Sequence, residues 1–596
     1  MQAAFSNFRW QSTSRHAFAL VALAGVVLLS NAFAVYYVWQ ERTAYFWDWS
    51  GYWLRYVNVS SEFLQQPLRA LRGLLVSIRG EDYNSLAIVP LIPAEWVFGP
   101  SRLAYILAVV NISLLPSAFM LAWLPWRSSR PGFGKPAADL ALATGCVATM
   151  HVMWIPVLRG LPDILGLFVI GLVLLVHFST PLAEQKMRQL ILTGLLLCLL
   201  VLVRRWYLFW VVSFFPALAV AQGIAIHWQG TGLKWRSYGI AARKAIIIGV
   251  TFAGAMAVVA TPLILRVVRT DYADVYSAYR YSTSIVEVAQ KLVAYFGWGL
   301  LALGLLGLVL LMRRQETRTF AIFLLAQSVI VFFLFARTQD FGVQHYYLLT
   351  PPVGVGIAAF VLCLCAQIRK KVWPSLLAVA LVFACTITGS ILVFLSSRMD
   401  RSMAASVLAF SSTTTNDGSS FLGSLMPTAR FPPMVRSDLA EFDRLLSDVV
   451  DRGTGTVYVV ASSAVLNSSM MVVACWTSGR PPESCGRILP TNDVDKRDGF
   501  PRAFVRADAV LVAAPTQYHL RPDDQRVIGL LARDMTEGRG VGAAFRRLPH
   551  EYKFDDGVTV HAYARSRAFE PAELQALSRE FIEHYPGMRK AFSEIE

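Results

Sequence analysis

Two neighbouring stretches, HAFALVALAGVVLLSNAFAVYY at 16–37 and YFWDWSGYWLR at 45–55, decide how this chain is read. The first exceeds the ~20 apolar residues that a helix needs to cross a bilayer. A cleaved signal peptide has a shorter apolar core, so this run behind Arg9 and Arg15 reads as a retained first span. The second stretch sets one carboxylate, Asp48, among Trp47, Trp49, Tyr52 and Trp53, with Arg55 close by. Aromatic surroundings desolvate a carboxylate and raise its pKa, while a nearby cation lowers it. A carboxylate tuned in that way beside a membrane suits a general base. A second reading of the same residues is an interfacial aromatic belt in which Asp48 caps a helix.

Composition takes the first span further. Of 596 residues, 55% are hydrophobic and only 16% charged, with a mean hydropathy of +0.48. These values describe a polytopic helical membrane protein. Apolar runs also begin near residues 101, 139, 162, 190, 206, 245, 298, 320, 347 and 373, making about eleven spans at ~20 residues each. The net charge of +16 is carried by one part: residues 1–396 hold 31 Lys and Arg against 14 Asp and Glu, whereas 397–596 hold 24 against 25. Charge confined to the membrane part speaks for topology and anionic ligands rather than nucleic acid. With a cytoplasmic N-terminus, the inner segments hold 17 basic residues against Asp139, Glu184 and Glu316, and the outer ones 14 against 11. The positive-inside rule is then obeyed, and an odd number of spans puts the Asp48 loop and the tail outside.

The chain divides into a membrane domain at 1–396 with a first outer loop at 39–100, a linker at 397–420, and a C-terminal α/β domain at 421–596. In the first loop, 60–79 places Phe63, Leu64, Leu68, Leu71, Leu74, Leu75 and Ile78 at helical spacing opposite Gln65, Gln66, Arg69, Arg72 and Arg79. This predicts an amphipathic helix on the membrane surface. In the tail, 456–462 and 509–514 read as strands, and 437–451, 522–536 and 571–584 as helices. The tail shows no catalytic motif, and His519, His550 and His584 read as surface residues. Cys475 and Cys485, ten apart in the tail, could form a disulfide if the tail is exported, and the sequence leaves open whether they do.

Polar residues gather at the outer ends of the spans. Glu81, Asp82 and Tyr83 precede one apolar run; Arg159 and Asp163 flank a short turn; Arg204 and Arg205 interrupt an apolar stretch; Arg337, His345 and Tyr346 lie in a late loop. Charge at membrane depth is expensive and by default marks a functional cavity. The carboxylates Asp48, Glu81, Asp82 and Asp163 suit a base and hydroxyl-binding groups. Arg159, Arg204, Arg205 and Arg337 suit a phosphate, which arginine grips with two donors. Structural pairing of Arg159 with Asp163, and snorkelling of Arg204, are the other reading.

This pattern resembles the GT-C superfamily of integral-membrane glycosyltransferases, which includes the protein O-mannosyltransferases and the lipid A aminoarabinose transferase. Asp48 falls where that family has its first-loop catalytic aspartate, and Glu81-Asp82-Tyr83 is similar to its second acidic segment. Asp163, Arg204 and Arg205 correspond by order, and Gln344-His345-Tyr346-Tyr347-Leu348-Leu349 resembles a Tyr-rich late segment. Two departures stand out: one acid where many members carry an adjacent pair, and Gln344-His345 where relatives often have arginine. The resemblance implies a polyprenyl-phosphate sugar donor, an envelope glycan, lipid or protein as acceptor, and inversion at the anomeric carbon. Asp48 would be the base, Arg159, Arg204, Arg205 and Arg337 the phosphate ligands, and Glu81, Asp82, Tyr83, Asp163, His345 and Tyr346 the sugar and acceptor contacts. No cofactor is required by this chemistry, and a divalent metal at Glu81 and His345 would be an addition to it. The expected setting is a bacterial inner membrane, with the C-terminal domain periplasmic. A transporter of an anionic substrate and a lipid-linked oligosaccharide ligase are the competing readings.

Overall fold

The computed structural model describes residues 2–128, 137–228, 234–368, 372–395, 425–453 and 455–593. Among these, eight helices are long and apolar enough to cross a membrane: Ala19–Gln40, Arg102–Arg127, Arg205–Trp228, Trp235–Val259, Ile285–Met312, Gln315–Ala336, Thr350–Gln367 and Leu377–Phe394. A ninth is completed if Ala137–Ala148 and His151–Leu158, bent by 55°, form one span. The shorter apolar helices Pro162–His177 and Met187–Val203 account for the remaining two runs seen in the sequence. The chain is a multi-pass membrane protein. Its long helices leave Leu20, Leu29, Val250, Val258 and Leu377 exposed, as apolar surface is when lipid rather than water surrounds it.

Helix α1 (Gln2–Gln40) leads into two helices of the first loop, α2 (Trp47–Gln65) and α3 (Pro67–Gly80). The single helix expected at 60–79 is therefore two. Pro67 has no N–H to donate and pushes the preceding residue out of the α region; Gln66 takes φ −143° and ψ 69°. The amphipathic character survives in α3. It buries Ala70, Ser77 and Ile78 and leaves Leu68, Leu71, Leu75 and Val76 exposed. An apolar face without a partner among the described residues fits a helix lying on a bilayer.

The tail folds as an α/β unit around one four-stranded sheet of order β1-β2-β4-β3, with β1 (Val457–Val460), β2 (Ala509–Ala514), β3 (Phe545–Lys553) and β4 (Thr559–Arg565). β1 and β2 pair in parallel, and the other two pairings are antiparallel. All four residues of β1 are buried, because helices cover both faces there. Tyr458, Val460, Val510 and Val512 pack with Val527, Ile528 and Leu531 of the helix Arg526–Glu537. Val457, Val459 and Leu511 face Phe442 and Met471 on the other side. Two strands and three helices lie where the sequence places them, whereas β3 and β4 went unread. β3 is an edge strand carrying Pro549 and mostly polar side chains, with an irregular register between Arg547 and Glu551. Cys475 and Cys485 form a disulfide. The expected linker at 397–420 lies outside the described residues.

Candidate active site

The site is built from connections at one end of the helical bundle. Helix α2 starts at Trp47, with Phe46 as its extended N-cap residue and no side-chain cap. Asp48 is thus inside the first turn, where the helix dipole favours an anion, and it is not the cap that the alternative reading required. Trp47 takes φ 45°, one of two described non-glycine residues in the left-handed region. For a bulky residue this costs about 1–3 kcal/mol and persists only where the surroundings enforce it. The residues after it are fixed by Arg102, which donates to the Trp49 carbonyl at 2.6 Å and lies 4.0 Å over the Tyr45 ring. Gly160 (φ +86°) closes against the same Arg102 and the Trp49 carbonyl, where a Cβ would have no room.

Asp48 keeps 36% of its side-chain surface open, and its Oδ2 lies 3.6 Å from Nη2 of Arg204. Dense protein on its other sides pushes its pKa up, Arg204 pulls it down, and Asp163 pushes it up again. Arg204 sits at the break between Met187–Val203 and the next span, in extended conformation. Its Nε donates to Asp163 Oδ1 at 2.5 Å, and Nη1 donates to the Tyr52 hydroxyl. Asp163 is fully buried in the turn Pro162–Ile164, and Oδ1 also accepts from the Trp206 indole at 3.1 Å. Its Oδ2 has no hydrogen-bond partner among the described residues. The guanidinium of Arg204 is therefore locked on a buried carboxylate while one edge faces Asp48. Tyr83 lies under it, with the cation 4.6 Å from the ring centroid, and the Asp48 charge holds the Tyr83 hydroxyl above its ordinary pKa.

A second cationic pocket adjoins the first. Arg205 pairs with Asp82, and Arg266 reaches the other Asp82 oxygen at 3.8 Å. Arg205 donates to the hydroxyls of Tyr272, at 3.1 Å, and Tyr276. His345 stands edge-on to the Trp206 ring at 5.3 Å. Its Nδ1 accepts from the Gly342 amide at 3.0 Å, which leaves Nε2 to carry the proton of a neutral ring. Burial, then the charges of Arg204 and Arg205, lower its pKa to about 3.

Of the residues singled out in the sequence, Asp48, Asp82, Tyr83, Asp163, Arg204, Arg205 and His345 converge here. Four are placed elsewhere. Glu81 pairs with Arg55 at 2.9 Å and accepts from Ser77 at 3.0 Å, tying the C-terminal end of α3 back to α2. Arg159 does not pair with Asp163; it is buried against Glu41 at 3.4 Å and donates to the Pro432 carbonyl at 3.0 Å. Tyr346 is core, stacked on Tyr295 with centroids 4.0 Å apart. Arg337 is exposed and lines a separate cavity of about 430 Å³ with Arg280, Ser282, Val288 and Phe333. Among the described residues no group of three or more His, Cys, Asp or Glu is arranged to hold a metal.

Sequence reasoning missed Arg266, Tyr272 and Tyr276, and it missed the tail. Tyrosines spaced four apart (Tyr272, Tyr276) were a usable signal, since that spacing puts them on one face of a turn. His519, read as a surface residue, is half-buried, with its ring 4.7 Å from that of Trp47. Arg497, also from the tail, is close enough for its charge to lower the pKa of Asp48.

No protein-family model and no curated protein sequence matches the chain. Its structure is similar to that of ArnT from Cupriavidus metallidurans bound to undecaprenyl phosphate, with a TM-score of 0.46, 14% identity, and coverage of 91% of this chain and 97% of that one. The apo state of the same protein gives a TM-score of 0.47 at 13% identity with the same coverage. The apo oligosaccharyltransferase of Archaeoglobus fulgidus gives 0.39 at 11% identity, covering 83% of this chain and 69% of that one.

Proposed function

We propose that this chain is a membrane glycosyltransferase of the GT-C kind that moves a sugar from a polyprenyl-phosphate donor to an envelope acceptor, with Asp48 as general base. One observation carries the reading. A half-open carboxylate, Asp48, faces a guanidinium that a buried carboxylate already holds in place. Such an arrangement leaves Asp48 available for a proton while its position stays fixed.

In the proposed reaction Asp48 takes the proton of an acceptor hydroxyl as its oxygen attacks the anomeric carbon. The bond from that carbon to the phosphate oxygen breaks, and its electron pair leaves with polyprenyl phosphate. A single displacement inverts the anomeric configuration. Arg205 keeps the phosphate role expected from sequence, and Arg204 takes another. Arg204 is committed to Asp163 and acts on the position and charge of Asp48. Arg205 and Arg266 flank Asp82, and a donor phosphate that displaces this carboxylate gains two cations and the Tyr272 and Tyr276 hydroxyls. Preorganised cations at the leaving oxygen stabilise the charge that develops there. The exposed apolar face of α3 adjoins this edge through Arg266 and would guide the lipid tail. We place the site on the outer face of a bacterial inner membrane, in keeping with the positive-inside pattern and the Cys475–Cys485 disulfide.

The test is incubation of the purified protein in nanodiscs with a panel of polyprenyl-phosphate sugars and envelope acceptors. Release of polyprenyl phosphate with an inverted product is the expected result. A protein that binds such lipids but consumes none of them contradicts the proposal.

A further inference from the structure

The tail domain touches the membrane part beside the proposed base, at Trp47. The Trp47 amide, strained by its positive φ, donates to Ser469 Oγ at 2.7 Å. Ser469 opens the helix Ser468–Thr477 and itself donates to Asn467 Oδ1 at 2.7 Å. The Trp47 ring lies against His519 at 4.7 Å and 50°. His519 is in turn held from behind. Its Nδ1 shares Ser462 Oγ at 2.8 Å with Asp493, which accepts from that hydroxyl at 2.7 Å, and Gln525 Nε2 lies 3.0 Å from the same nitrogen. The Trp47 indole N–H faces Asp493 closely enough to offset part of the rise that burial imposes on that carboxyl, which stands at about 6. Further along α2, Trp53 meets Trp476 edge-on at 4.9 Å.

Ser469 thus accepts from the free amide of the first residue of α2, whose own N-cap residue supplies no side-chain acceptor. Together these tail groups enforce one backbone conformation at the residue next to Asp48. Building on the glycosyl-transfer reading, we propose that the tail domain is a latch: Ser469 and His519 hold Trp47 in its left-handed conformation and thereby aim Asp48 at the acceptor. Trp47, Ser469 and His519 are positioning residues, acting through Asp48. Arg497 sits in the short helix Asp495–Asp498 with its Nε and Nη2 on Asp498, at 2.6 and 3.0 Å, while its positive charge bears on Asp48 and Tyr279. The charged and titratable groups bearing on Asp48 from all sides are Arg204, Asp163, Tyr52, Tyr83 and Arg497. Removing Arg497 removes a charge that favours the ionised base.

The experiment uses full-length protein in nanodiscs carrying Ser469→Ala and His519→Ala, singly and together, with Ser469→Thr and Arg497→Gln alongside. Amide exchange across 45–52, read without substrate, should rise in the double variant while the helix Arg526–Glu537 stays protected. With a donor that the wild type consumes, the double variant should lose at least tenfold in kcat with donor KM within twofold. Ser469→Thr, which keeps the hydroxyl, should restore kcat to within twofold. Arg497→Gln should move the acidic limb of the kcat/KM profile to higher pH and leave the plateau rate within threefold. Unchanged exchange at 45–52 overturns the latch, whatever reaction the protein performs. Raised exchange with unchanged kcat overturns its link to Asp48. A wild type that turns over no polyprenyl-phosphate sugar overturns the proposed reaction instead, and the exchange result then decides the latch alone.

Discussion

Asp48 and Asp163 show how one residue type is given two different environments within one site. Asp48 keeps open surface and a loose ion pair, so it can gain and lose a proton in the course of a reaction. Asp163 has no exposed surface and two strong donors, so its part is to orient Arg204. Breaking a buried pair leaves a charge without a partner, at about 3–5 kcal/mol. Asp163→Asn should therefore lower the unfolding midpoint clearly, whereas Glu81→Gln, at a half-open pair with Arg55, should cost less than about 1 kcal/mol of stability and leave the midpoint nearly unchanged. Differential scanning fluorimetry in detergent compares the two. The pH dependence follows from the direction of the Asp48 shift. A base works only when ionised, and burial raises its pKa above the ordinary carboxylate value, so kcat/KM should begin to fall with decreasing pH earlier than a solvated aspartate would allow. A pH–rate profile whose acidic limb lies at or below that ordinary value counts against Asp48. At this scale the residue types of the site were legible, but their partners were not. Arg159 and Asp163 are four apart and look like a pair, yet the turn at Gly160 sends Arg159 toward Glu41, while Asp163 meets Arg204 from another helix. Spacing in a turn does not set side-chain direction as it does in a helix.

Elements were read best where one physical rule governs them. The spans were legible because a bilayer demands long apolar helices, and β1 and β2 because a strand covered on both faces is apolar throughout. The division between α2 and α3 was written in Pro67, and the amphipathic spacing across it masked the signal. β3 has no such pattern, since an edge strand with one exposed face needs little apolar side chain. The helix Ser468–Thr477 carries Ser469, Cys475 and Trp476, so the disulfide to Cys485 anchors the element that grips Trp47 and Trp53. Closing a loop of this length removes about 2–3 kcal/mol of unfolded-state entropy. Reduction, or Cys485→Ser, should raise amide exchange in 468–477 before the sheet loosens. Simultaneous loss of protection in β1 and β2 would show that the unit unfolds as a whole.

Across the whole molecule, the membrane part supplies the carboxylates and arginines, and the tail reaches back to the first loop. The tail's sheet is one connected α/β unit, yet Lys496 also pairs with Asp274 at 2.5 Å and Tyr281 donates to the His519 carbonyl at 3.3 Å. These contacts join chain segments more than 200 residues apart, which is why no local pattern revealed them. Charge asymmetry between the two parts was legible, because it follows from composition alone. The central claim is that Asp48 removes the acceptor proton, and Asp48→Asn tests it most directly. The variant keeps the size and polarity of the side chain and cannot take a proton. Single-turnover release of polyprenyl phosphate should fall about 10²- to 10⁴-fold relative to wild type, the span that general-base catalysis contributes, with lipid binding and unfolding midpoint retained. A variant that releases polyprenyl phosphate at the wild-type rate would contradict the account.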